Sequence, residues 1–165
     1  MKRSPVPPIA YRAPRWLPGG HLQTLYAALL CPRPSVQLKR TRWDTPDGDF
    51  VDLDWLDSSG TGPLIVLFHG LEGCSRSHYA QALLFEVERW GWRGVVAHFR
   101  GCSGELNRRP RAYHSGDTEH VDWVLRCLRD QEPRAALFAV GVSLGGNALL
   151  KWLGERGCDA RAVVR

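Results

Sequence analysis

The chain carries three continuous apolar runs, each followed closely by a glycine. They are PLIVLFHG from residue 63, RGVVAHFRG from residue 93 and RAALFAVGVS from residue 134. Unbroken runs of this kind are typical of strands that are covered on both faces. Between them, apolar residues recur at helical spacing after Ser77 and after Asp117, and Asp117 is well placed to cap a helix. The order strand, helix, strand, helix, strand predicts βαβ units and a mostly parallel sheet flanked by helices.

The segment before these runs has a different pattern. VQLKRTRW and FVDLDWL flank TPDGD, and Val51, Leu53 and Trp55 alternate with Asp52 and Asp54. This alternation predicts an antiparallel hairpin near the edge of the sheet, with the two aspartates on a face that meets water.

Two further segments define the expected domain boundaries. Residues 1 to 35 are rich in Pro, Arg and Gly, and HLQTLYAALL within them predicts a short amphipathic helix. We therefore expect an N-terminal extension over residues 1–35 and a sheet domain over residues 36–165. A helix is expected from Gly145 to Glu155, ending before Gly157, and ARAVVR is expected to begin another strand. Because no helix or tail follows that strand, we expect a fold that is cut partway through.

The composition narrows the class of protein. An apolar share of 44% with 7 tryptophans excludes wholesale disorder. The net charge of +5 is spread along the chain, and its densest group is Arg108, Arg109 and Arg111. A solvated loop explains that group better than a phosphate-binding patch does, which leaves a nucleic-acid partner as a weak alternative.

Cysteine usage and the N-terminal sequence bear on the compartment. Five widely spaced cysteines without a CxxC pair indicate reduced thiols in a cytosolic protein. Prolines after the basic N-terminus argue against a signal peptide, and no apolar run approaches the length of about 18 residues that spans a membrane. We therefore expect a cytoplasmic protein without an integral membrane segment.

The stretch VGVSLGGN contains the strongest candidate for chemistry. Ser143 lies between Gly141 and Gly145, directly after an apolar run and before a predicted helix. A serine nucleophile needs a sharp, strained turn between strand and helix, and side chains two residues to either side would collide with neighbouring backbone. Strand, glycines and helix therefore predict a nucleophile elbow with Ser143 as the catalytic residue, whereas GxSxG alone would be weak evidence.

The stretch HGLEG, after the first buried run, supplies the next candidate. Its glycines allow close backbone approach, so the N–H of Leu71 and the N–H of Leu144 are expected to form an oxyanion hole. His69 is more easily explained as a residue that orients this loop than as the base.

The remaining polar residues have simpler explanations. His98 is expected to be a satisfied core histidine, and His78 and His120 are expected to be solvated on helices. Ser103 lies in a turn without the strand-to-helix frame. The sequence has no metal-ligand spacing, no GxGxxG and no GxxxxGK[ST], so neither a metal nor a nucleotide cofactor is expected.

Taken in order, RWLPGGHLQTL, PLIVLFHGLEG, AHFRGCSGE, YHSGDTEH and VGVSLGGN resemble the alpha/beta-hydrolase superfamily, and in particular its YheT-like branch. The resemblance covers nearly the whole chain. It implies an eight-stranded, mostly parallel sheet, a nucleophile at Ser143 and oxyanion donors at Leu71 and Leu144. It also implies hydrolysis, without a cofactor, of a small-molecule ester or of a lipid-like substrate such as an acylglycerol.

The chain departs from that family after the serine. The family's order is serine, then acid, then histidine. Only residues 144–165 follow Ser143 here, and they include Glu155 and Asp159 but no histidine. We therefore expect a truncated chain without the family's acid and base. It would be either the N-terminal portion of a serine hydrolase or a binding module that keeps the elbow as a structural turn. The sequence leaves the oligomeric state open.

Overall fold

The structure is a computed structural model that describes residues 12–31 and 34–165. The described residues fall into two units, one within residues 1–32 and one within residues 33–165. In the first unit, helix α1 (Gly20–Leu25) continues into a π-helical turn, Tyr26–Leu30, which confirms the predicted helix. Residues 1–11 and 32–33 of the predicted extension lie outside the described residues.

The second unit is built on a mixed sheet of five strands. The strands are β1 (Leu38–Asp44), β2 (Phe50–Leu56), β3 (Leu64–Phe68), β4 (Arg93–Ala97) and β5 (Leu137–Gly141), in the spatial order β1-β2-β4-β3-β5. Strand β2 is antiparallel to β1 and β4, whereas β3 is parallel to β4 and β5. The helices are α2 (His78–Arg89), α3 (Thr118–Gln131) and α4 (Leu144–Arg156). The predicted hairpin, parallel strands and alternating helices are confirmed.

Strand β3 shows why its sequence is apolar without interruption. Val66 and Phe68 belong to a core cluster shared with α3 and α4, whereas Ile65 and Leu67 belong to a second cluster shared with α2. Because successive side chains of a strand point to opposite faces, both faces of β3 are buried. Because β3, β4 and β5 are parallel, their carboxyl ends lie at the same edge of the sheet, and this edge carries the loops described below.

The prediction of a wet face on β2 was wrong. Asp52 and Asp54 are only 1% and 4% exposed. Arg42 bonds to both oxygens of Asp52 at 2.7 and 2.8 Å, and Arg40 bonds to both oxygens of Asp54 at 2.7 and 2.9 Å. Asp54 also accepts hydrogen bonds from Ser75 and the His98 ring. Paired carboxylates can be buried because their partners replace the hydrogen bonds of water. The alternation of apolar residues and aspartates in β2 therefore did not indicate which side chains are exposed.

The end of the chain also differs from expectation. Gly157 ends α4 with a φ of +53°, as its sequence predicted, but the segment expected to begin a strand starts with a 3₁₀-helix, Gly157–Ala162. The N–H of Val163 donates to the carbonyl of Ala160 at 3.0 Å, which keeps this stretch coiled. Arg165 then reaches the sheet, where its N–H donates to the carbonyl of Leu137 at 2.9 Å.

Two remaining features concern the described residues as a whole. All five cysteines are free thiols. None of the helices in residues 12–31 and 34–165 is long and apolar enough to cross a membrane.

Candidate active site

Ser143 occupies the sharp turn between β5 and α4. Its φ is 52° and its ψ is −114°, a conformation that side-chain-bearing residues rarely adopt. Such strain persists only where the surrounding structure enforces it, and it concentrates at functional sites. The turn places Ser143 at the carboxyl edge of the sheet and at the N-terminus of a helix of 13 residues.

The two glycines around Ser143 are required by close backbone contacts. A Cβ added at Gly141 would lie 2.6 Å from the Cα of Gly146. A Cβ added at Gly145 would lie 2.5 Å from the carbonyl oxygen of His69 and closer still to that of Phe68. Backbone atoms inside a sheet and a helix cannot move aside easily, so any larger residue would push the elbow away from β3.

The loop HGLEG lies directly beside this turn. The N–H of Val142 donates to the carbonyl of Phe68 at 3.0 Å, and a Cβ added at Gly70 would lie 3.4 Å from the Cβ of Ser143. Within the part of the chain that the structure describes, the N–H groups of Leu71 and Leu144 have no hydrogen-bond partner. The site thus has two free backbone donors close to a strained serine.

His69 has both ring nitrogens occupied. Its Nδ1 donates to the carbonyl of Gly70 at 2.8 Å, and its Nε2 accepts from the N–H of Phe99 at 3.0 Å. Burial lowers the pKa of His69 to about 4, so the ring is neutral near pH 7. These bonds tie the loop after β3 to the loop after β4, in agreement with the expectation that His69 orients the loop.

The predicted environments of His98 and His78 are confirmed, whereas that of His120 is not. His98 is a satisfied core residue, since its Nε2 bonds to Asp54 at 2.8 Å, and His78 is exposed. The prediction of a solvated His120 was wrong, because its side chain packs 4.9 Å from the ring of Phe99 and is only 5% exposed. Burial lowers the pKa of His120 to about 4, so it packs as a neutral aromatic ring.

Asp117 caps helix α3, as the sequence predicted. Its side chain accepts a hydrogen bond from the N–H of His120 at 3.3 Å, and Arg111 pairs with it at 2.8 Å. The neighbouring arginines also bond to protein groups: Arg108 pairs with Asp44, and Arg109 donates to a carbonyl of the β1–β2 turn. The basic cluster therefore holds the loop before α3 against its surroundings.

Nothing among the described residues forms a complete catalytic triad with Ser143. In residues 12–31 and 34–165, no histidine or carboxylate bonds to the Ser143 hydroxyl. Glu155 instead pairs with Lys151 at 2.9 Å on the surface of α4. The same residues contain no group of three His, Cys, Asp or Glu side chains that could hold a metal ion.

Comparison with known proteins identifies the family to which the chain belongs. The family model described as the alpha/beta hydrolase fold matches residues 63–161, and the chain belongs to this family. It is 46% identical over 142 residues to the protein named Putative esterase YheT of Escherichia coli (strain K12), covering 84% of this chain and 42% of that protein. It is 34% identical over 161 residues to human Phospholipase ABHD3, covering 93% and 39%.

Solved structures show the same architecture. An esterase of Pyrococcus furiosus superposes with a TM-score of 0.58 at 18% identity, over 75% of this chain and 52% of that one. The chain spans about two fifths of the length of the curated relatives described above.

The sequence did not single out the side chains that hold this site in place. The hydroxyls of Tyr79 and Tyr113 accept hydrogen bonds from backbone N–H groups of the HGLEG loop. Just after this loop, the hydroxyl of Ser75 donates to Asp54 of β2. A positive φ at Glu72 marks the same loop as strained. The presence of Tyr113 in the YHSGDTEH motif was the one available signal, but a motif does not show what a hydroxyl contacts.

Proposed function

We propose that this chain provides the nucleophile and the oxyanion hole of a serine hydrolase that acts on carboxylic esters. The observation that carries the proposal is the backbone of Ser143, whose φ of 52° presents its hydroxyl at a strand-to-helix turn, beside two N–H groups that have no partner among the described residues. A strained serine at a helix N-terminus is well suited to attack a carbonyl carbon.

The chemistry follows from the roles of these groups. The Ser143 oxygen attacks the ester carbonyl, its proton passes to a base, and the carbonyl oxygen becomes negative. The N–H groups of Leu71 and Leu144 then stabilise this oxyanion. The C–O bond to the alcohol breaks, the alcohol leaves with the proton, and water hydrolyses the acyl-enzyme. No cofactor is needed for any of these steps.

A base is the one part that the described residues do not provide at Ser143. By the precedent of proteases that lack triad residues, oxyanion donors and binding alone leave roughly 10³- to 10⁴-fold acceleration over water. We therefore infer slow chemistry for this chain alone, and a full rate only where an acid and a histidine from further sequence reach Ser143.

The relatives favour a lipid-like ester as the substrate. One carries esterase in its name and another carries phospholipase, and both match most of this chain. We propose a small ester or acylglycerol substrate and a cytoplasmic location, which the free thiols support. The pairing of Arg108 and Arg111 with acidic side chains argues against a nucleic-acid partner.

The competing function is a binding module that keeps the elbow as a structural turn, which the absence of a base bonded to Ser143 favours. A fluorophosphonate probe separates the two, because it phosphonylates activated serines. We expect slow labelling that mass spectrometry assigns to Ser143, with none in Ser143→Ala and an unchanged rate in Ser59→Ala, which alters an exposed loop serine. Labelling that persists in Ser143→Ala, or that never reaches Ser143, would favour the binding module.

A further inference from the structure

The loop after β3 contains three consecutive amides, of which the outer two are hydrogen-bonded to tyrosine hydroxyls and the middle one is free among the described residues. The N–H of Gly70 donates to the hydroxyl of Tyr79 at 2.9 Å, and the N–H of Glu72 donates to the hydroxyl of Tyr113 at 3.0 Å. Between them, the N–H of Leu71 has no partner among residues 12–31 and 34–165. Two hydroxyls from separate parts of the chain, one on α2 and one in the loop before α3, therefore hold the amides on both sides of the free donor.

Glu72 is held in a strained conformation by one of these tyrosines. Its φ is 52°, and among the described residues only Ser143 shares a positive φ without being glycine. The hydroxyl of Tyr113 accepts from the Glu72 N–H and lies 3.2 Å from the Glu72 carboxylate, to which it donates. A side-chain-bearing residue keeps such a conformation only when its neighbours fix it, and Tyr113 binds Glu72 at two points.

Both hydroxyls are themselves firmly placed. The ring of Tyr113 stacks on Phe99 with centroids 5.4 Å apart and planes 18° from parallel. Burial raises the pKa of Tyr113 to about 12, so its hydroxyl keeps the proton that it donates to Glu72. The hydroxyl of Tyr79 occupies the space that a Cβ on Gly73 would need. The second glycine of HGLEG is thus explained by the need to admit a tyrosine.

We propose that Tyr79 and Tyr113 are positioning residues of the oxyanion hole. Their hydroxyls hold the amides of Gly70 and Glu72, and this keeps the Leu71 N–H directed at the oxygen that becomes negative when the serine attacks. The role in catalysis rests on the function proposed above, whereas the restraint on the loop is a property of the chain itself. Neither tyrosine needs to touch the substrate.

Amide hydrogen exchange followed by NMR tests the restraint without any activity. In Tyr113→Phe we expect the Glu72 amide to exchange about tenfold faster, the factor for one lost hydrogen bond. In Tyr79→Phe the Gly70 amide should do the same, and the Leu71 amide resonance should shift in both variants. Ser59→Ala, which alters an exposed loop residue of the same unit, is the control and should change none of the three. Exchange and resonances unaltered in both loop variants would overturn the proposal.

The kinetics of fluorophosphonate labelling test the role at Ser143. We expect the limiting rate of labelling to fall by roughly tenfold in Tyr113→Phe, which is less than the 10²- to 10³-fold loss for removal of an oxyanion donor. The probe concentration at half-maximal rate should stay unchanged, because the probe's binding contacts remain. An unchanged limiting rate, with the Glu72 amide released, would overturn the positioning role and leave the proposed function standing. Absence of labelling in the unmodified chain would instead overturn the proposed function, and the role in catalysis with it.

Discussion

Replacement of Ser143 by glycine should stabilise the protein while it removes the nucleophile. The residue has a φ of 52° and a ψ of −114°, and a side-chain-bearing residue held in such a region costs about 1 to 3 kcal/mol. Glycine removes that cost but adds about 0.5 to 1 kcal/mol of chain entropy in the unfolded state. The free energy of unfolding should therefore rise by about 1 kcal/mol in Ser143→Gly.

Alanine at the same position separates strain from the loss of the hydroxyl. Ser143→Ala keeps a Cβ and hence the strain, so its stability should stay close to that of the unmodified chain. For a chain of this size, 1 kcal/mol corresponds to a Tm difference of about 2 to 4 °C. Thermal unfolding followed by circular dichroism measures this difference.

A control position with ordinary backbone should show the opposite order. Ser59 lies in an exposed loop and does not have a positive φ. Ser59→Gly should therefore be less stable than Ser59→Ala by about 0.4 to 1 kcal/mol, through the greater freedom of glycine in the unfolded chain. If Ser143→Gly proved no more stable than Ser143→Ala, the strained elbow would be refuted.

Three further substitutions or conditions test other parts of the structure. Gly145→Ala should destabilise the fold by at least about 1 to 3 kcal/mol, because its methyl group would overlap strand carbonyls, whereas Gly154→Ala, in open space on the same helix, should stabilise it by about 0.5 to 1 kcal/mol. Both are measured by urea unfolding. Asp54→Asn should cost about 1 to 3 kcal/mol in the same assay, because an amide cannot accept all the hydrogen bonds that the buried carboxylate accepts, whereas Glu86→Gln, in an exposed pair, should cost less than about 1 kcal/mol. Stability should fall as the pH is lowered from 6.5 to about 4, because the unfolded chain takes up protons on His69 and His120 that the folded chain, where both pKa values are lowered to about 4, does not. His120→Gln should reduce this slope in stability measured against pH.

The outcomes that would contradict these expectations are specific to each feature. If Gly145→Ala were as stable as Gly154→Ala, the elbow would tolerate a side chain at Gly145. A negligible loss of stability in Asp54→Asn would mean that the hydrogen bonds around β2 do not need the charge of Asp54. An identical pH slope in His120→Gln would mean that this histidine titrates in the folded protein as it does in the unfolded chain.

The elements that sequence predicts well here are those whose cause is local. A strand buried on both faces needs an unbroken apolar run, and β3 and β4 each have one. The prediction that the third run is also covered on both faces was wrong, because β5 lies at the edge of the sheet, where Leu137 is buried but Phe138 is 38% exposed. The elbow is similarly local, since Gly141 and Gly145 are needed within two residues of the serine. The pattern VGVSLGGN, together with the apolar run before it and the helical spacing after it, predicted the strand-to-helix turn that the structure shows.

Features that depend on distant partners were not predictable in the same way. Asp52 and Asp54 look like residues of a wet face until Arg42 and Arg40 are seen across the hairpin. His120 follows a helix cap by three residues and looks exposed, but Phe99 from another loop covers it. A one-dimensional pattern records how polar a side chain is, whereas its burial depends on which groups the fold brings to it.

The tyrosines at the HGLEG loop show the same limit at the site itself. The sequence placed the free amide of Leu71 in a candidate oxyanion hole, but it could not show what holds that amide in place. The hydroxyl of Tyr113 arrives from 41 residues away along the chain. Loop geometry of this kind follows from the tertiary fold, which brings Tyr113 beside Glu72.

The central claim is that Ser143, Leu71 and Leu144 form one reactive centre. A crystal structure of the chain after reaction with a phosphonate ester tests it most directly, because the bound phosphoryl oxygen stands in for the oxyanion. We expect a covalent bond to the Ser143 oxygen and a phosphoryl oxygen about 2.7 to 3.1 Å from the backbone nitrogens of both Leu71 and Leu144. A phosphoryl oxygen turned towards solvent, or an adduct on any other residue, would contradict it.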